Sequence, residues 1–296
     1  MARGPDFLAL SFELRGLDAA RAESACLALG AQAITFSDAQ DDAVLEPGVG
    51  EVRLWPATQL QALYPAHIDA AALVEGLARE LALDKGRIET RLLADRPWER
   101  EWLRDFHARR FGSRLWVCPS HEQVLEPGAV VVRLDPGLAF GTGTHPSTAL
   151  CLEWLDAHLR AGASVIDYGC GSGVLGIAAA LLGAARVDAF DIDPQALLAT
   201  VDNATANSIG ERLIVHAEVA QIPNRADVLV ANILARTLCE LASDFAARLG
   251  PGGTILLAGI LAEQAEAVAC VYASWFDIAR CGERDGWVAL AGARKS

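Results

Sequence analysis

Residues 165–184, VIDYGCGSGVLGIAAALLGA, constrain the fold of this chain more than any other stretch. A short apolar run ends on an acidic residue, glycines alternate at 169, 171 and 173, and an Ala- and Leu-rich helical run follows. This is the form of a buried strand, a tight glycine turn and a helix whose free N–H groups face a ligand. Two cofactor signatures overlap in it. The residues 171–176, GSGVLG, fit the dinucleotide fingerprint G-x-G-x-x-G. The residues 167–173, DYGCGSG, fit the acidic-then-glycine loop of enzymes that use S-adenosylmethionine.

From this unit onward apolar strands alternate with helical runs: RVDAFDI, PQALLATVDNATANS, RLIVHAEV, ADVLVANI, ARTLCELASDFAARL and GGTILLAGI. That alternation predicts a doubly wound α/β domain with a mostly parallel sheet over residues 126–296. The end of the chain, FDIARCGERDGWVALAG, reads as two strands about the Asp285-Gly286 turn. An antiparallel last strand on such a Rossmann-like sheet suits a methyltransferase better than a plain dinucleotide-binding domain.

Upstream, FLALSFELRG, LDAARAESACLALGA, AITFSDA, GEVRLWPA, IDAAALVEGLARELAL and GRIETRLLA follow the order β-α-β-β-α-β. This predicts a small α+β, ferredoxin-like domain over residues 1–95. Residues 96–125 are expected to form a linker helix and connection, with Trp98, Trp102 and Phe106 recurring on one helical face.

Asp167 separates the two cofactors. A carboxylate beside a glycine turn that cradles an anionic pyrophosphate is repulsive, whereas the ammonium and sulfonium of S-adenosylmethionine attract it. Asp191, 20 residues after Gly171, suits the ribose hydroxyls of either cofactor. The alternating Gly169, Gly171 and Gly173 let the backbone approach a ligand without Cβ clashes. Neither a G-x-S-x-G elbow nor a G-x-x-x-x-G-K-[ST] phosphate loop occurs, so hydrolase and NTPase readings fall away.

Composition narrows the partners. A formal net charge of -13 argues against nucleic acid, whose binding rests on clustered Lys and Arg, and a basic protein is the better electrostatic match. Seven cysteines without C-x-x-C spacing and six dispersed histidines give no disulfide framework and no metal site. No run reaches the ~18 apolar residues of a membrane span, and the expected location is cytoplasmic.

Two further stretches bear on the site. LDPGLAFGTGTHPSTALCLEWL, residues 134–155, is a Gly/Thr loop running into a helix, with Ser147 and Thr148 near the helix start. The run ADVLVAN ends at Asn232, on the ligand edge of the sheet. Its successors are Ile233 and Leu234, not the Pro-Pro-aromatic run that clasps flat amides and bases in amino-methylating enzymes.

The motifs WEREW, RLWVCPS, LDPGLAFGTGTHPST, VIDYGCGSGVLGIAA, DIDPQAL, ANIL and GGTILLAGIL closely resemble the ribosomal protein L-eleven methyltransferase family (PrmA) over nearly the whole chain. The resemblance implies trimethylation of lysine ε-amino groups and of the N-terminal α-amino group of that ribosomal protein, with S-adenosylmethionine as donor. It implies that the first domain recognises the protein substrate. It also implies cofactor contacts at Thr148, Gly169, Asp191 and Asn232. Asp167, Gly171 and Gly173 join them from the loop reading, and Asn232 is the candidate catalytic residue. His145 is weighed as a general base and as a loop anchor, the anchor being favoured. The resemblance implies a small or proline residue in place of Arg236 or Thr237, and so both bear on the acceptor channel. The alternative function is a small-molecule or RNA methyltransferase using the same cofactor.

Overall fold

A computed structural model describes residues 7–39, 55, 57–93, 106–135 and 143–295. The chain forms two compact units, Met1–Glu101 and Trp102–Ser296.

In the first unit the strands β1 (Phe7–Glu13), β2 (Ala33–Asp38), β3 (Thr58–Pro65) and β4 (Glu89–Leu93) form one sheet in the order β2-β3-β1-β4. Every neighbouring pair is antiparallel, which is the ferredoxin-like arrangement expected of the β-α-β-β-α-β order. The helices Ala19–Ala28 and Ala70–Leu81 start where Asp18 and Asp69 accept backbone N–H bonds from Arg21 and Ala71 at 2.8 and 2.9 Å.

The third strand differs from the expectation. GEVRLWPA falls largely outside the described residues, and its described members Trp55 and Ala57 lie in no strand. The strand is instead TQLQALYP, in which Leu60, Ala62 and Tyr64 are fully buried while their neighbours are half-buried. This period of two packs one face on the helices.

The second unit begins earlier than expected. The helix anticipated around Trp98 and Trp102 lies outside the described residues, but Phe106 is buried. Beyond it β5 (Arg109–Phe111), β6 (Leu115–Cys118) and β7 (Val130–Arg133) form a three-stranded sheet, and its first two strands stand where a linker helix and connection were expected. Phe111, Leu115 and Val117 share one core with the helix Pro146–His158. The turn between β5 and β6 is pinned by Asp156, which accepts from the N–H and the Oγ of Ser113. Residues 106–135 therefore belong to this unit, and Phe106, Phe111, Leu115, Val117, Val132 and Leu134 sit in its core.

The main sheet contains β8 (Ser164–Tyr168), β9 (Arg186–Phe190), β10 (Leu213–His216), β11 (Ala226–Asn232), β12 (Leu249–Leu261), β13 (Phe276–Arg284) and β14 (Trp287–Arg294). Their order is β10-β9-β8-β11-β12-β14-β13. Only β14 is reversed: it pairs antiparallel with both β12 and β13, and the others run parallel. The sheet has a buried apolar cluster on each face, as a doubly wound architecture requires. The order reverses at β8, whose neighbours are β9 and β11, so a crevice opens at the carboxyl ends of these three strands.

Candidate functional site

The loops after β8, β9 and β11 enclose a cleft of about 490 Å³. Gly169, Gly171, Asp191, Asn232 and Thr148 line it, with Ile192, Leu234 and Leu241 among its apolar walls.

The glycine loop is held from three sides. The N–H groups of Gly169 and Cys170 donate to the Phe190 carbonyl at 2.8 and 3.0 Å, tying the loop to the end of β9. Gly171 N–H donates to Asp191 Oδ2 at 2.9 Å, and Asp193 N–H donates to Asp191 Oδ1 at 3.0 Å. One carboxylate thus fixes both the loop and its own turn, and keeps unshared lone pairs toward the cleft. From behind, the helix Pro194–Ala206 contributes Thr200, whose hydroxyl donates to the Gly171 carbonyl at 3.1 Å. Its Asn203 donates from Nδ2 to the Ser172 carbonyl at 2.8 Å.

Two residues expected at the cofactor do not line the cleft. Gly173, at φ +78, caps the helix Val174–Leu181, and a Cβ there would approach Thr200 Cγ2 to 2.8 Å. Its glycine serves the packing of loop on helix. Asp167 is 1% exposed, and its Oδ2 accepts from Gly176 N–H at 2.8 Å. The pleat of β8 turns this side chain under the helix and not toward a cationic ligand, which corrects the electrostatic role assigned from sequence. Among the described residues its Oδ1 has no hydrogen-bond partner. Burial pushes the carboxyl up to about 7, Gly176 N–H opposes the rise, and the Asp191 carboxylate adds to it.

Thr148 and Asn232 meet at the other end. Thr148 is 1% exposed in the first turn of the helix Pro146–His158, and its Oγ1 accepts from Asn232 Nδ2 at 3.1 Å. That bond leaves the Asn232 carboxamide oxygen as an acceptor at the cleft. Ser147 is also buried, but it bonds to His145 and does not line the cleft. His145 caps the same helix: its Nδ1 lies 2.7 Å from Ser147 Oγ, and its ring meets Trp287 edge-on at 4.6 Å. Burial lowers its pKa, and it does not line the cleft. These contacts are those of an anchor. Residues 136–142 of the Gly/Thr loop lie outside the described residues.

Thr237 lines the cleft, whereas Arg236 pairs with Glu240 at 2.9 Å on the surface. Sequence reasoning missed Thr200 and Asn203, whose signal was a pair of polar residues three apart on a helix that otherwise buries Ala196 and Ala204. It also missed Ile192, 91% exposed at the cleft wall, an isolated apolar residue directly after the acidic end of β9.

The cleft fits an adenosine-bearing methyl donor. Its volume is within the usual range for small-molecule sites, two glycines bring backbone to its floor, a carboxylate stands at one end and the rest is largely apolar. Among the described residues no three His, Cys, Asp or Glu side chains converge as a metal site would require. No helix among them is long and apolar enough to cross a membrane.

Comparison with known proteins agrees with this architecture. The family described as Ribosomal protein L11 methyltransferase (PrmA) matches residues 6–295. A protein of Methylococcus capsulatus named Ribosomal protein L11 methyltransferase is 52% identical over 269 residues, 90% of this chain and 92% of that one. One of the same name from Pseudomonas aeruginosa is 50% identical over 275 residues, 93% of this chain and 94% of the other. A crystal structure described as ribosomal protein L11 methylase from Lactobacillus delbrueckii subsp. bulgaricus is 31% identical. It covers 64% of this chain and 100% of that one, with a TM-score of 0.60. A match spanning both units and the whole ligand edge of the sheet leaves one assignment: the chain belongs to the ribosomal protein L11 methyltransferase family.

Proposed function

We propose that this chain methylates ribosomal protein L11, transferring methyl groups from S-adenosylmethionine to lysine ε-amino groups and to the N-terminal α-amino group until each is trimethylated. The observation that carries the reading is that Asp191 and Asn232 line one cleft, in a chain about half identical to proteins named ribosomal protein L11 methyltransferase.

Asp191 and the backbone of Gly169 and Gly171 would hold the cofactor's adenosine and methionine portions, with Ile192 and Leu241 as apolar walls. The bound cofactor supplies a sulfonium-activated methyl group. The protein's own work is then to bring an amine in line with it, and orientation accounts for most of the acceleration. A free lysine has a pKa of about 10.4, so the site must receive the amine neutral or let water take its proton. The Asn232 carboxamide oxygen can accept one N–H of the neutral amine and so aim its lone pair; a neutral acceptor also avoids stabilising the ammonium form.

Leu234, more than half exposed beside Asn232, offers an apolar contact for the lysine stem. The ferredoxin-like unit is assigned to holding the protein substrate, and the enzyme to the cytoplasm where ribosomes assemble. The test is intact-mass analysis of ribosomal proteins incubated with the chain and S-adenosylmethionine. Gains on L11 in multiples of one methyl group are expected; an unchanged mass of L11 would refute the reading.

A further inference from the structure

Strand β12 slips in register against β14 between Leu257 and Ile260. Within this slip Gly259 takes a left-handed φ of +79. Such irregularities bend a strand and re-aim what lies beside it. The neighbour here is β11, where Asn232 pairs with Ala258.

A Cβ at Gly259 would stand 2.5 Å from the Ile233 carbonyl oxygen, 3.0 Å from its carbonyl carbon and 3.2 Å from Asn232 Oδ1. The first two are backbone atoms and cannot rotate away. On its other side Ile233 is met by Gly169, at φ +77, where a Cβ would collide with Ile233 Cγ2. The turn through Asn232 and Ile233 therefore lies in a slot between two left-handed glycines, one after β8 and one in β12. The bond from Asn232 to Thr148 adds a side-chain restraint.

We propose that Gly259 is a positioning residue for methyl transfer: its missing side chain sets where the Asn232 carboxamide oxygen stands in the cleft. This rests on the role given to Asn232 above. Gly259 does not itself line the cleft, so it acts through the Asn232–Ile233 turn. A methyl group at 259 displaces the Ile233 carbonyl and the adjoining carboxamide, and displacements near 1 Å at a reacting group can cost about 10²-fold in rate.

The test compares Gly259→Ala with Gly252→Ala. Gly252 lies in the same strand at φ +74 with no atom within 4 Å of an added Cβ, so it carries the left-handed cost without the collision. Expected for Gly259→Ala is a single-turnover methyl-transfer rate lowered about 10- to 100-fold, with cofactor affinity changed less than about 3-fold. Gly252→Ala keeps the wild-type rate. In an Asn232→Ala background, adding Gly259→Ala lowers the rate by less than about 2-fold, because the group it positions is gone.

A readout independent of activity is the side-chain amide NMR resonance of Asn232 in the cofactor-free protein, which should move in Gly259→Ala and stay in Gly252→Ala. An unmoved resonance, or a full extra loss of rate in the Asn232→Ala background, overturns the proposal. A wild-type rate in Asn232→Ala alone refutes the role of Asn232 and the proposal with it. Should Gly259→Ala fail to fold, Gly259→Asn carries the same Cβ while tolerating the left-handed region, and the same outcomes apply.

Discussion

Asp167 should give the second unit a pH dependence of stability opposite to that of an ion-paired carboxylate. Its carboxyl is buried under the helix Val174–Leu181 with one oxygen bonded to Gly176 N–H and the other without a partner among the described residues. Burial raises it from an ordinary 3.8 to about 7, which corresponds to about 4 kcal/mol. Between these values the native protein keeps a proton that the unfolded chain has released. The stabilisation is therefore complete below about pH 3.8 and lost as pH rises through about 7.

Asp167→Asn retains an oxygen for Gly176 N–H and cannot ionise, so it isolates the effect. Between about pH 4.5 and 6.5 the unfolding free energy of wild type should fall relative to the variant by about 1.4 kcal/mol per pH unit, one proton's worth. Above about pH 7.5 the variant should be the more stable of the two. The assay is urea unfolding followed by hydrogen exchange of peptides from β8, which reports the second unit alone. Parallel pH slopes for the two proteins would mean that the carboxyl is ionised in the native state and the argument wrong.

Three further outcomes follow from the cleft. Asp191→Ala removes the acceptor for Gly171 and Asp193 N–H and the proposed ribose contacts; at about 3 kcal/mol, titration calorimetry should show S-adenosylmethionine affinity falling ~100-fold or more in a folded protein. Asn232→Ala should slow single-turnover methyl transfer at saturating cofactor by about 10²; weaker cofactor binding with an unchanged transfer step would reduce it to a cofactor contact. A chain of residues 102–296 should bind cofactor with near-native affinity yet fail to methylate L11, and full activity on the protein substrate would remove the recognition role from the first unit.

Much of the site was legible because it is local. The apolar run, the acidic end and the alternating glycines of residues 165–173 lie consecutively, and Gly169, Gly171 and Gly173 all adopt the positive φ that their residue type permits. Asp191 and Asn232 were placed by the same logic, since each ends an apolar strand and parallel strands deliver their carboxyl ends to one edge. The two-unit order and the ferredoxin-like pattern were likewise written in periodicity, except that the third strand was read at GEVRLWPA and stands at TQLQALYP, directly after it.

What only the tertiary structure decided is direction and long-range contact. An acidic residue at a strand end reads the same whether it faces a ligand or a helix; the pleat of β8 turned Asp167 inward, whereas Asp191, directly after β9, stands at the cleft. Asn232 meets Thr148 across 84 residues, and Thr200 reaches Gly171 across 29. The placement of β14 between β12 and β13, and of residues 106–135 in the second unit, depend equally on distant partners. Backbone propensity and side-chain period act over a few residues and are printed in their order, whereas these contacts exist only once the sheet has set its register and brought separate strand ends together.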